Sequence, residues 1–152
     1  MGLAVYNGFS PKLREASYEF LKAEIASGRV RSPERCQICG ETQGWLDWHA
    51  EDYSHPFGPH IYAYELCFRC HMMVHTRFRF PERWARYIEQ LEAGAVYEPL
   101  MNRREIGLLS KPGWTDRPVS MGSPRPCLAF FRSLSLVRAA ERVEPERQAL
   151  LF

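Results

Sequence analysis

The sequence predicts an α+β chain: a short strand–strand–helix unit pinned by four cysteines, flanked by helices and followed by a weakly structured C-terminal tail. Three observations carry this. Two Cys-x-x-Cys pairs, Cys36/Cys39 and Cys67/Cys70, bracket two strand-like stretches. Apolar residues recur at helical spacing on both sides of that segment, after Ser10 and after Pro81. Beyond about residue 99 the periodicity fades, and residues 110–126 are rich in Pro, Gly and Ser.

The first helix is predicted from Ser10-Pro11, a side-chain cap followed by a residue preset for the first helical position. Leu13, Ala16 and Phe20 continue it and Gly28 stops it. A basic connector, 29–35, leads to "CQICGETQG", the shape of a zinc knuckle in which Gly40 lets the backbone turn round a metal. "WLDWH" (45–49) and "IYAYELC" (61–67) read as strands. The segment between them, "AEDYSHPFGPH", reads as a loop. A helix follows from Phe68 to about Arg77. A second opens near Pro81, with Trp84, Tyr87, Ile88 and Leu91 as its core stripe and Gly94 as its end. In the tail, a candidate amphipathic helix covers 129–142. The domain boundaries are therefore 1–30 for an N-terminal helix, 31–98 for the metal-stapled domain with its following helix, and 99–152 for linker and tail.

The chain has 152 residues, 45% of them hydrophobic and a net charge of +2, as expected of one domain with an appendage. Long apolar segments are scarce in the middle, so a staple such as a metal is expected. Residues 1–76 hold 7 Lys+Arg against 9 Asp+Glu, and residues 77–152 hold 13 against 9. Arginine dominates the second half and suits bidentate phosphate contact, although a genomic preference for arginine gives the same composition. No apolar run approaches the roughly 18 residues of a membrane span. "MGLAVYNGFS" turns polar too soon for a signal peptide, and Tyr6 departs from the myristoylation pattern. These features predict a cytoplasmic protein with no membrane partner. Thiols stay reduced there, so paired cysteines point to metal rather than disulfides.

Cys36, Cys39, Cys67 and Cys70 form the expected ligand set of a structural Zn²⁺. Such a four-cysteine site is closed and leaves no position for chemistry, so the histidines need a separate reading. His71 and His75 stand four apart and share a helix face. If the two knuckles meet at one zinc, His49 at the end of the first strand is drawn towards them.

The set "CQIC…WHAEDYSHP…LCFRCHMMVH" resembles the zinc-bearing branch of the HNH nuclease family, over residues 36 to about 77. The resemblance implies a ββα-metal fold and cleavage of nucleic acid, double-stranded DNA in the first instance. It implies a divalent ion, Mg²⁺ or Mn²⁺, as Lewis acid, and an imidazole as general base. His71 matches the histidine that binds the ion from the helix, and His49 matches the strand position. Asp47 is a nearby carboxylate of the kind hard cations prefer. His49, His71 and His75 are the implied catalytic residues. Family members carry two adjacent functional residues on the strand, a ligand and then the base. Here Trp48 and Ala50 flank His49. Either His49 is the ligand and Ala50 stands in the base's place, or His49 is the base and Trp48 stands in the ligand's.

Arg69, Arg77, Arg79, Arg83 and Arg86 are the candidate phosphate contacts, with Phe78, Phe80 and Trp84 among them expected in the core. A homodimer is the assembly by which one small site cuts two strands. The competing expectation is a catalytically inactive zinc-stapled module that binds nucleic acid or protein on the same scaffold. A third is an accessory protein acting through its C-terminal segment.

Overall fold

The computed structural model describes residues 3–101, 117–125, 128–137 and 139. They are mixed α and β, with four α-helices and two antiparallel two-stranded sheets. They divide into two compact units, one drawn from the described residues among 1–31, 50–62 and 137–152, the other from those among 32–49 and 63–136. None of the described helices is long and apolar enough to cross a membrane.

The first unit is organised by α1, Pro11–Ala26. The Ser10 hydroxyl accepts the Leu13 N–H at 3.1 Å, the cap expected from the Ser-Pro pair. Gly28 ends the helix at φ +79, a left-handed conformation that strains any side chain. Ahead of α1, Tyr6 and Phe9 exchange backbone hydrogen bonds of 3.1 and 2.9 Å and make a tight hook. This hook holds the 50–62 loop. The Tyr6 hydroxyl donates to Glu51 Oε2 at 2.6 Å, and Asn7 Nδ2 donates to the Glu51 carbonyl at 3.1 Å. The Arg14 guanidinium lies 5.3 Å from the ring centres of both Tyr6 and Tyr53. The acidic "EDYS" stretch therefore packs against the hook through Glu51 and buried Tyr53. His60 Nε2 lies 2.8 Å from the Ser54 carbonyl, within a short 3-10 turn at Pro59–Tyr62.

The second unit begins with β1, Leu46–His49, and β2, Tyr64–Cys67. They pair antiparallel, Leu46 opposite Cys67 and His49 opposite Tyr64. Alternation puts Asp47 and His49 on one face of this ribbon. The strand expected over 61–67 is thus shorter: Tyr62 closes the 3-10 turn and pairing starts at Tyr64. Its aromatic, apolar run looks the same in either conformation. α2, Phe68–Thr76, starts directly from β2, with Cys67 as its cap. α3, Pro81–Glu92, buries the predicted stripe of Trp84, Tyr87, Ile88 and Leu91. Leu66, Val74 and Leu91 in this core are fully buried. Each such side chain contributes roughly 1.5–3 kcal/mol through burial.

Gly94 ends α3 at φ +101, and a side chain there would collide with the Gly122 carbonyl. That close approach lets β3, Ala95–Val96, pair antiparallel with β4, Ser120–Met121. Residues 120–121 lie inside the stretch expected to be linker. Their pairing is non-local and leaves no periodic trace in two residues. α4 covers only Ala129–Arg132 and inserts Phe131 into the core. The helix expected over 129–142 therefore stops early: Ser133 caps it, and residues 138 and 140–142 lie outside the described residues.

Candidate functional site

Cys36, Cys39, Cys67 and Cys70 converge, their sulfurs all within 4.8 Å of one another. Cys39 and Cys67 sulfurs stand 3.6 Å apart. Sulfurs at about 2.3 Å from a tetrahedral zinc stand ~3.8 Å apart, so the spacing fits that ion. Each knuckle turns one amide onto a sulfur: Cys39 N–H onto Cys36 Sγ and Cys70 N–H onto Cys67 Sγ, both at 3.4 Å. Gly40, at φ +79, lets the first knuckle close, its N–H 2.8 Å from the Cys36 carbonyl.

A dication would ease the electrostatics of this cluster. Burial opposes ionisation of Cys36, but hydrogen bonds from Cys39, Cys67 and Cys70 outweigh it and hold its thiol far below the usual range. The Cys36 and Cys39 side chains push Cys67 well up, and burial followed by the same neighbours pushes Cys70 up. One thiolate is favoured and several adjacent ones are not, a conflict that a dication removes. Cys70 Sγ also lies 3.0 Å from the buried Tyr87 hydroxyl. Burial, then the neighbouring sulfur charges, push Tyr87 well up, so the hydroxyl keeps its proton and can donate to a thiolate at Cys70. These four cysteines could hold a structural metal ion such as zinc.

A second cluster is all imidazole. One nitrogen from each of His49, His71 and His75 lies within 4.8 Å of the other two. His49 ends β1 and is 2% exposed. His71 and His75 stand one turn apart on α2, their Nε2 atoms 3.0 Å apart. The ring planes are steeply inclined, at 73°, 79° and 62° for the three pairs, so the rings meet by their edges rather than stack. Nitrogens about 2.1 Å from one ion stand ~3.0–3.4 Å apart, octahedral to tetrahedral, and the His71–His75 spacing falls there.

Asp47 does not join that cluster. Its Oδ2 lies 3.4 Å from His71 Nδ1, on the ring edge away from His75, and its Oδ1 accepts the Trp45 indole N–H at 2.9 Å. Of the expected set of His49, His71 and Asp47, the two histidines share the cluster with His75, and Asp47 lies behind the His71 ring. Imidazole suits zinc, nickel, iron and copper, whereas Mg²⁺ prefers oxygen donors. The donor set thus moves the ion expected here away from Mg²⁺.

The arginines divide. Arg69 is buried; its Nη2 donates to the Glu98 carbonyl at 2.7 Å and its guanidinium lies 5.2 Å from the Tyr97 ring centre. Arg77 is 1% exposed, with Nε donating to the Ser135 carbonyl and Nη1 to the Val74 carbonyl, each at 2.9 Å. Both are expected at phosphates and both instead serve internal carbonyls, which satisfy the donors of the buried guanidinium groups. Arg79 and Arg86 are exposed and Arg83 is half-buried. Trp84 is buried as expected, whereas Phe80 is 38% exposed beside the Arg79 guanidinium.

Two contacts join residues that no motif links: the Tyr87 hydroxyl on Cys70, and the Trp45–Asp47–His71 chain. The period-two spacing of Asp47 and His49 was the available signal for the second. No protein-family model, curated protein or solved structure matches the chain. Among the described residues the geometry defines two separate clusters whose side chains could hold a metal ion, one of sulfur and one of imidazole.

Proposed function

We propose that the protein is a metal-dependent endonuclease of the HNH type, hydrolysing phosphodiester bonds in nucleic acid, with DNA as the first substrate. One observation carries the reading: His49 from the strand converges with His71 and His75 from the helix that starts at the four-cysteine cluster. In this reading the cysteines hold a structural zinc that fixes the strand–strand–helix unit. The three histidines hold the working ion. When bound, a divalent ion there polarises the phosphodiester and steadies the departing oxygen. Arg79, Arg83 and Arg86 grip flanking phosphates.

His49 is placed as a ligand in this account, which leaves buried Ala50 at the position where the family carries its base. The same alanine favours a second reading, a module that binds nucleic acid without cutting it. A supercoiled-plasmid nicking assay separates the two. Wild type, His49→Ala and His71→Ala are compared with Mg²⁺, Mn²⁺, Ni²⁺ and Zn²⁺, alongside a gel-shift measurement. The endonuclease reading expects metal-dependent nicking that both substitutions abolish while the fold persists. Binding without nicking by folded, zinc-loaded wild type under every ion would leave only the second reading.

A further inference from the structure

We infer that Asp47 is the positioning residue of the imidazole centre: it fixes the tautomer and aim of His71, and is itself fixed by Trp45. The inference rests on the reading of His49, His71 and His75 as a metal centre. Only one nitrogen of an imidazole ring can serve an ion as a lone-pair donor while the other carries the proton. His71 presents its two nitrogens to different partners. Nδ1 faces Asp47 Oδ2 at 3.4 Å, and Nε2 faces His75 Nε2 at 3.0 Å. A carboxylate accepts hydrogen bonds and cannot donate them when ionised. It therefore selects the form protonated at Nδ1, which leaves the Nε2 lone pair towards the cluster.

The carboxylate is anchored on its other side. Asp47 Oδ1 accepts the Trp45 indole N–H at 2.9 Å, two residues earlier on the chain. With Oδ1 held there, the carboxylate is kept behind the ring. The arrangement follows from the strand: positions 47 and 49 point to the same face, so β1 delivers both a ligand and the support for the facing ligand. Such outer partners of metal-bound histidines typically govern affinity by 10–100-fold. The bland alternative is a partly exposed ion pair, with side chains 26% and 15% accessible, which has no bearing on a metal.

The test uses the full chain with its sulfur site filled by zinc, and follows Co²⁺ binding at the second site by visible absorption. Wild type, Asp47→Ala, Asp47→Asn, Trp45→Phe and His71→Ala are titrated in parallel, each with its thermal unfolding midpoint recorded. The inference expects one Co²⁺ in wild type, with affinity lowered about 10–100-fold by Asp47→Ala and less by Asp47→Asn. Trp45→Phe gives a smaller loss, and the band positions shift while unfolding midpoints stay close to wild type. Unchanged affinity and spectrum in Asp47→Ala would overturn the inference and leave the imidazole centre standing. A wild type that takes no second ion, or His71→Ala that binds like wild type, would overturn both.

Discussion

Replacing Tyr87 by Phe removes one oxygen and nothing else. The ring keeps its place in the core, 5.2 Å from the Tyr97 ring and 6.4 Å from Trp84. What is lost is the 3.0 Å hydrogen bond between the Tyr87 hydroxyl and Cys70 Sγ. In the zinc-loaded protein that sulfur is a thiolate, and a hydrogen bond to a charged acceptor contributes about 1.5–3 kcal/mol. In a chain of this size each kcal/mol moves the unfolding midpoint by roughly 2–8 °C, so a fall of several degrees is expected. The same bond helps hold a ligand sulfur in place, so zinc affinity should fall by about 10-fold or more. Circular-dichroism melting of the zinc-loaded variant and competition against a chromophoric chelator read the two effects. An unchanged midpoint together with unchanged zinc affinity would refute the view that Cys70 carries a metal-bound thiolate.

Other substitutions should separate structure from function. Cys70→Ala removes one of four sulfurs and should abolish cooperative unfolding, because zinc binding is coupled to folding, whereas His71→Ala should leave the far-ultraviolet spectrum intact. Arg77→Ala should destabilise by about 2–4 kcal/mol in denaturant melts, since it strips charged donors from two internal carbonyls. Arg79→Ala and Arg86→Ala should change stability by less than about 0.5 kcal/mol, and each should reduce the salt slope of DNA binding by about one. At alkaline pH the tyrosines matter. Burial raises Tyr53, with the Arg14 charge pulling the other way, and burial followed by sulfur charges raises Tyr87. Both stay protonated in the fold while the unfolded chain ionises near pH 10, so stability intact below about pH 10 should fall as pH climbs above it. Tyr53→Phe should flatten that fall in melts recorded from pH 8 to 11.

Local chemistry made much of the fold legible. Ser10-Pro11 named the start of α1, and the 84/87/88/91 stripe named the buried face of α3. The doubled Cys-x-x-Cys spacing foretold that four sulfurs would meet, because each pair is a self-contained turn. What stayed hidden depends on partners far along the chain. The β3–β4 pairing joins Ala95 to Met121 across a stretch rich in turn residues. The burial of Arg69 and Arg77 depends on the carbonyls of Glu98 and Ser135, which no local pattern announces. The imidazole cluster lay between these extremes. His71 and His75 were legible from helical spacing, whereas the place of Asp47 behind His71 requires knowing how β1 faces α2.

The most direct test of the account counts metal ions. Native mass spectrometry of protein dialysed against Zn²⁺ should find two ions on wild type and one on His71→Ala, the remaining ion held by the cysteines. A single ion on wild type that His71→Ala retains would contradict a working metal centre at His49, His71 and His75.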